Sequence, residues 1–220
     1  MKDPAFDPYD YLGYVIIGLV ALIGCQGVFG VPQILGRHFR AADIAGLVAS
    51  AVIAGRFIGK PAKFFLEDIA VRKVMLPPGE VLWAQRSRPV LARLLPGYYA
   101  PLEPALQQQV TSKVFAEGAP AVGGEELLQH IRSHERIRAD SALTARLQAF
   151  LKRYGFARNL SFVAGAFGVT VLIVSPFQAD GARTLLALFA VIAAGLLFVR
   201  FIKVYRQHAM ELFEGYAALK

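Results

Sequence analysis

Three side chains that can bind metal follow one another at intervals of four residues in the middle of the chain. Glu126, His130 and His134 offer one carboxylate and two imidazoles, and this spacing places all three on one face of a helix. Two histidines at that spacing can bind zinc when a third ligand joins them. Three arginines between residues 132 and 138 make the surroundings electropositive. The pattern therefore favours a solvated helix face, with a metal site as the weaker interpretation.

Other catalytic patterns are missing from the sequence. It has no glycine-rich phosphate loop and no GxSxG nucleophile elbow. Its single cysteine, Cys25, lies within an apolar stretch, so neither an intrachain disulfide nor a multi-cysteine metal site can form. We therefore expect a non-enzymatic protein without a cofactor.

Long apolar segments lie at both ends of the chain, on either side of a charged middle segment. The composition is 55% hydrophobic and the mean hydropathy is +0.45, which is unusual for a soluble domain of this size. In lipid, backbone polar groups must be satisfied within the segment, which makes each one a helix. The sequence thus predicts an all-α integral membrane protein with about four transmembrane helices. The segments are Tyr11–Leu35, Ala42–Gly59, Asn159–Phe177 and Thr184–Val204.

The distribution of basic residues predicts domain organisation and orientation. Residues 56–158 hold sixteen of the twenty-four lysines and arginines, which places this part in the cytoplasm by the positive-inside rule. We expect a transmembrane hairpin at 1–59, a small and mainly helical cytoplasmic domain at 60–157, a second hairpin at 158–204 and a cytoplasmic amphipathic tail at 205–220. We expect a multi-pass protein of a bacterial inner (plasma) membrane, with its C-terminus and central domain in the cytoplasm. The net charge of +8 suits an anionic leaflet better than nucleic acid as a partner.

The sequence also allows a model with three spans instead of four. Residues 37–40 are basic for an external loop, and the N-terminus is acidic. A model with three spans, in which Ala42–Gly59 is buried or lies in the interface, satisfies both observations.

Small and polar side chains within the apolar segments suggest how the helices associate. Small residues at intervals of four let helix backbones approach in lipid, either within one chain or in a homo-oligomer. Gln26 and Thr170 are the clearest polar groups at membrane depth, suited to interhelical hydrogen bonds or to a pore. The helix-packing residues are Ala42, Gly46, Ser50, Ala54, Ala164 and Gly168.

Basic and aromatic residues at the segment ends are typical of a membrane interface. The segment Lys60–Met75 mixes both kinds, as in a helix that lies on an anionic surface or packs on its own domain. We assign the following residues to the interface: Lys60, Lys63, Phe64, Phe65, Arg153, Arg158, Arg200, Lys203 and Arg206.

The cytoplasmic segment has mainly helical patterns. Leucine and valine recur every four residues from Leu102 to Val114, and a longer helix is predicted over Glu125–Tyr154. Residues 80–84 suggest a short strand, in which Trp83 packs in the small core. The segment Pro96–Tyr99 reads as a turn whose aromatic side chains could contact a partner or the membrane.

Three functions fit these features. The first is a non-enzymatic, oligomeric membrane subunit whose cytoplasmic domain binds a soluble protein and couples it to the membrane; one version is a membrane-perturbing effector of a bacterial stress or antiviral system. The second is an ion channel or pore with Gln26 or Thr170 facing its axis. The third is a membrane-bound, metal-dependent enzyme that uses Glu126, His130 and His134.

Overall fold

The computed structural model describes residues 8–29, 40–84, 86–118, 123–134, 137, 140–174 and 181–219. These residues are almost entirely helical and include no strand. The helices are α1 Pro8–Phe29, α2 Ala41–Ala62, a π-helix Lys63–Met75, α3 Pro78–Leu82, α4 Pro89–Leu94, α5 Pro96–Tyr99, α6 Pro104–Ala116, α7 Gly124–Ser133, α8 Ser141–Val174 and α9 Gly181–Ala218.

Within the residues that the structure describes, three helical segments are long and apolar enough to cross a membrane, which supports the prediction of an all-α membrane protein. They are Ala42–Leu82, Ser141–Val174 and Gly181–Ala218. The predicted second span lies within the first of them. The described apolar part of α1, Tyr11–Gln26, is shorter, and the end of the predicted first span lies outside the described residues.

The chain forms two compact units. The first comprises Met1–Glu67 and Gly155–Arg200, and the second comprises Asp68–Tyr154 and Phe201–Lys220. The boundaries fall inside the π-helix, α8 and α9, so these three helices contain residues of both units.

In the first unit, glycines let two helix pairs approach closely. A Cβ atom on Gly18 would overlap the Ala51 carbonyl, and one on Gly55 would overlap the Tyr14 carbonyl, so α1 and α2 touch through their backbones. A Cβ atom on Gly168 would lie 2.7 Å from Val191 Cγ2, where α8 meets α9.

The second unit encloses a hydrophobic core made by α3, α6, α7, α8 and the end of α9. Val110 and Val114 supply the inner face of α6, as the four-residue repeat predicts. Phe213 and Tyr216 of α9 are fully buried in the same core. The predicted tail helix over 205–220 is therefore wrong as a separate element. No proline interrupts α9, and its last turns belong to the core.

Two predictions of local structure in the second unit are also wrong. Residues 80–84 are not a strand, because Pro78 stands in the first turn of α3, where a missing N–H costs nothing. The segment Pro96–Tyr99 is α5 rather than a turn. Tyr98 is buried there, and its hydroxyl donates to the Leu76 carbonyl at 2.8 Å.

The predicted helix over Glu125–Tyr154 is interrupted after Ser133. His134 follows α7 in an extended conformation, and the next long helix, α8, begins at Ser141. Asp140 accepts hydrogen bonds from the backbone N–H groups of Ala142 and Leu143. These N–H groups have no partner within the helix, so Asp140 caps the start of α8. The apolar repeat continues across this point, which is why the sequence predicts a single helix.

Candidate functional site

A groove on the surface of the second unit is lined in part by a largely exposed aromatic side chain. Phe115 is 80% exposed on α6, and the groove beside it has a volume of about 580 Å³. Its lining residues are Trp83, Pro104, Gln107, Gln108, Thr111, Ser112 and Phe115. We call this surface the α6 groove.

The core holds the α6 groove in place from behind. Gln107 Nε2 donates to the carbonyls of Leu82 and Leu102, which ties α6 to the end of α3. The Trp83 ring packs edge-on against Phe213, with ring centroids 5.8 Å apart. One wall is therefore a tryptophan that packs against the core, as the sequence predicts.

The lining of the α6 groove combines two aromatic rings with uncharged amide and hydroxyl groups. None of its lining residues has an acidic or basic side chain. The hydroxyls of Thr111 and Ser112 donate to backbone carbonyls of their own helix, at 2.7 and 3.0 Å. Aromatic side chains are enriched at protein interfaces.

Ionisable side chains meet where α3 crosses the start of α7. A Cβ atom on Gly124 would overlap the Gly79 carbonyl, and this close approach brings Glu80 near Glu125. Burial raises the pKa of the Glu125 carboxyl, while Arg72, the Gly79 backbone and Arg132 partly oppose the rise. Because folding raises this pKa, the group favours folding most below its ordinary pKa of 4.5, and that contribution is lost as the pH rises through the folded value.

The three weak candidates for metal ligands do not converge in the structure. Glu126 and His130 are exposed on α7. His134 lies beyond the helix end, with Nε2 3.2 Å from Glu117 Oε2. The same carboxylate oxygen accepts a hydrogen bond from the Tyr216 hydroxyl at 2.6 Å. Among the described residues, no three histidine, cysteine or acidic side chains are placed to hold a metal ion.

The predicted small-residue stripe of α2 lies one position away from the face that packs on α1. Gly46 has open space around it, whereas Ala51 and Gly55 contact α1. Ala42 and Ser50 are exposed and Ala54 is half-buried. On α8, Ala164 is half-buried and Gly168 lies at the contact with α9.

The two polar residues at membrane depth differ in their bonding. The Thr170 hydroxyl donates to the Ala166 carbonyl of its own helix at 2.7 Å. Gln26 Oε1 is buried and has no hydrogen-bond partner among the residues that the structure describes.

Most of the predicted interface residues are exposed, but two are committed to partners inside their units. Exposed are Lys60, Lys63, Phe64, Phe65, Arg153, Arg200 and Lys203. In the second unit Arg206 donates to the Ala100 carbonyl at 2.8 Å. In the first unit Arg158 donates to Glu67 at 2.8 Å, with side chains only 12% and 6% exposed. Arg158 is thus half of a buried ion pair.

Sequence reasoning missed both Phe115 and the Glu67–Arg158 pair. Phe115 directly follows Val114, a predicted core position, so the helical repeat places it on the outer face of α6. A large aromatic residue on an outer face is the signal that could have identified it as a surface site. Glu67 and Arg158 are 91 positions apart, so no local pattern connects them. Comparison of the chain with protein-family models, with curated proteins and with solved structures finds no significant match.

Proposed function

We propose that this chain is a non-enzymatic membrane subunit whose second unit lies in the cytoplasm and binds a soluble protein through the α6 groove. The observation that carries the proposal is the exposure of Phe115 in a groove whose wall, Trp83, packs against the core. Exposing a phenylalanine to water costs free energy, and aromatic anchors at the centre of an interface supply much of its binding energy.

The membrane arrangement that accompanies this function has four spans and both termini in the cytoplasm. The positive-inside rule supports it, since the second unit contains most of the basic middle segment. The exposed stripe with Gly46 at its centre is a surface through which copies of the chain could associate in lipid. Binding at the groove is then coupled to the membrane through the helices shared by both units.

Site-specific photocrosslinking in cells tests the proposal. A benzophenone amino acid in place of Phe115 is expected to form an adduct with a soluble protein. The same amino acid in place of Gln109, which is exposed on α6 outside the groove, forms no such adduct. For the identified partner, Phe115→Ala is expected to weaken binding by about thirtyfold, the effect of losing an interface anchor.

Matched charge variants separate the groove from the rest of the helix. Ser112→Arg places a long charged side chain in the groove and abolishes the adduct, while Gln109→Arg adds the same charge and preserves it. Equal labelling from positions 115 and 109, or equal sensitivity to both arginines, would mean that the α6 groove is not the binding surface.

A further inference from the structure

The short helix α4 exposes apolar side chains on the second unit. None of its residues is buried. Val90 is 69% exposed and Leu94 is 71% exposed, and their spacing of four places them on one face. Val74, at the end of the π-helix, is also exposed and lines a groove of about 450 Å³ with Arg88, Val90 and Leu91.

The same surface is strongly basic. Arg86, Arg88 and Arg93 are all exposed, and between Glu80 and Glu103 the sequence has no other charged residue. Arg86 lies 3.8 Å from Glu80, with 73% of its side chain exposed. A pair so open to solvent is weak, so it leaves the surface positive.

We propose that α4, together with Val74, docks on an anionic lipid leaflet, with Val90 and Leu94 inserted among the acyl chains and the three arginines at the headgroup phosphates. Exposed apolar side chains flanked by arginines are the chemistry of interfacial membrane binding. Lipid is favoured over a soluble acidic partner because helices of the same chain are apolar enough to lie in the bilayer, and such a tether gives lipid a high effective concentration. The surface shares no lining residue with the α6 groove, so it goes beyond the proposed function.

The test uses the full chain in nanodiscs, with an environment-sensitive NBD fluorophore on single cysteines. In a Cys25→Ser background, Leu94→Cys reports on α4 and Phe115→Cys reports on the α6 groove. In nanodiscs containing phosphatidylglycerol, the probe at position 94 is expected to shift to the blue and to be quenched by spin-labelled lipids. The probe at position 115 shows neither change. In phosphatidylcholine alone, or in high salt, the signal at position 94 falls.

Charge removal gives the expected size of the effect. Each arginine near an anionic surface contributes about a fivefold factor, so replacing Arg86, Arg88 and Arg93 with glutamine lowers the ratio of docked to undocked protein about a hundredfold. All three positions are exposed, so the variant retains its fold, which circular dichroism checks.

Three outcomes overturn the proposal. One is a probe at position 94 that remains water-exposed in anionic nanodiscs. Another is equal quenching at positions 94 and 115. A third is a probe at position 94 whose fluorescence is unchanged by anionic lipid but shifts to the blue when poly-glutamate is added, which would assign the surface to an acidic protein segment.

Discussion

Gly55→Leu opens the contact between α1 and α2, whereas Gly46→Leu leaves it intact. Any side chain on Gly55 enters the space of the Tyr14 backbone carbonyl, which cannot rotate away as a side chain could. Overpacking of this kind costs about 3 kcal/mol, which raises the open fraction of the hairpin about a hundredfold. The measurement is the maleimide reactivity of Ile17→Cys in a Cys25→Ser background, because Ile17 is buried on α1. Purified protein in mixed SDS micelles is used, so that an opened hairpin exposes the thiol to water.

Gly46 supplies the matched control for Gly55. It lies on the same helix, and a Cβ atom there would meet nothing within 4 Å. If Gly46→Leu increased the reactivity of Ile17→Cys as strongly as Gly55→Leu, the packing face would be the stripe predicted from sequence. A change in oligomer size caused by Gly46→Leu alone would instead assign that stripe to contacts between copies.

Arg158→Met destabilises the first unit by about 3–5 kcal/mol, because it leaves the Glu67 carboxylate buried without its cation. Arg158 also donates to Asn159 Oδ1 through Nε and Nη2, both at 3.2 Å, and these bonds are lost as well. The maleimide reactivity of Val163→Cys, which is buried on α8, measures the loss in a Cys25→Ser background, with purified protein in mixed SDS micelles so that unfolding exposes the thiol to water.

Two further variants identify the cause. Glu67→Leu combined with Arg158→Met removes both charges and is expected to be more stable than Arg158→Met alone. Asp68→Asn breaks an exposed pair, in which Asp68 lies 3.6 Å from Arg72, and costs at most about 1 kcal/mol. A double variant no more stable than Arg158→Met would show that the buried charge is not the source of the loss.

The fold class followed from hydropathy because lipid leaves helices as the only way to satisfy the backbone of a long apolar segment. The packing face of α2 was harder to predict. Small residues recur at intervals of four on more than one of its faces, and the position of α1 decides which is used. The π-helix has no evident signal except Pro61, which lies inside α2 and lacks the N–H of a regular helical bond.

The candidate site was only partly predictable. Trp83 was recognised as a core residue, but its role as a groove wall depends on α6, which starts twenty-one residues later. Glu126, His130 and His134 share one face only if the helix is continuous through all three. Because α7 ends at Ser133, His134 does not lie on that face. The burial of Tyr98 has no local signal, because its hydroxyl bonds to the carbonyl of Leu76, a residue 22 positions earlier whose φ is 83°.

Cysteine accessibility in intact cells tests most directly the claim that the apolar helices lie in lipid and the second unit in the cytoplasm. In a Cys25→Ser background, Gln109→Cys reports on the second unit, and Ala182→Cys reports on the start of α9. A membrane-impermeant maleimide is expected to label position 182 in intact cells and position 109 only after permeabilisation. Labelling of position 109 in intact cells, or recovery of the protein in a detergent-free wash, would contradict the membrane arrangement on which the proposed function depends.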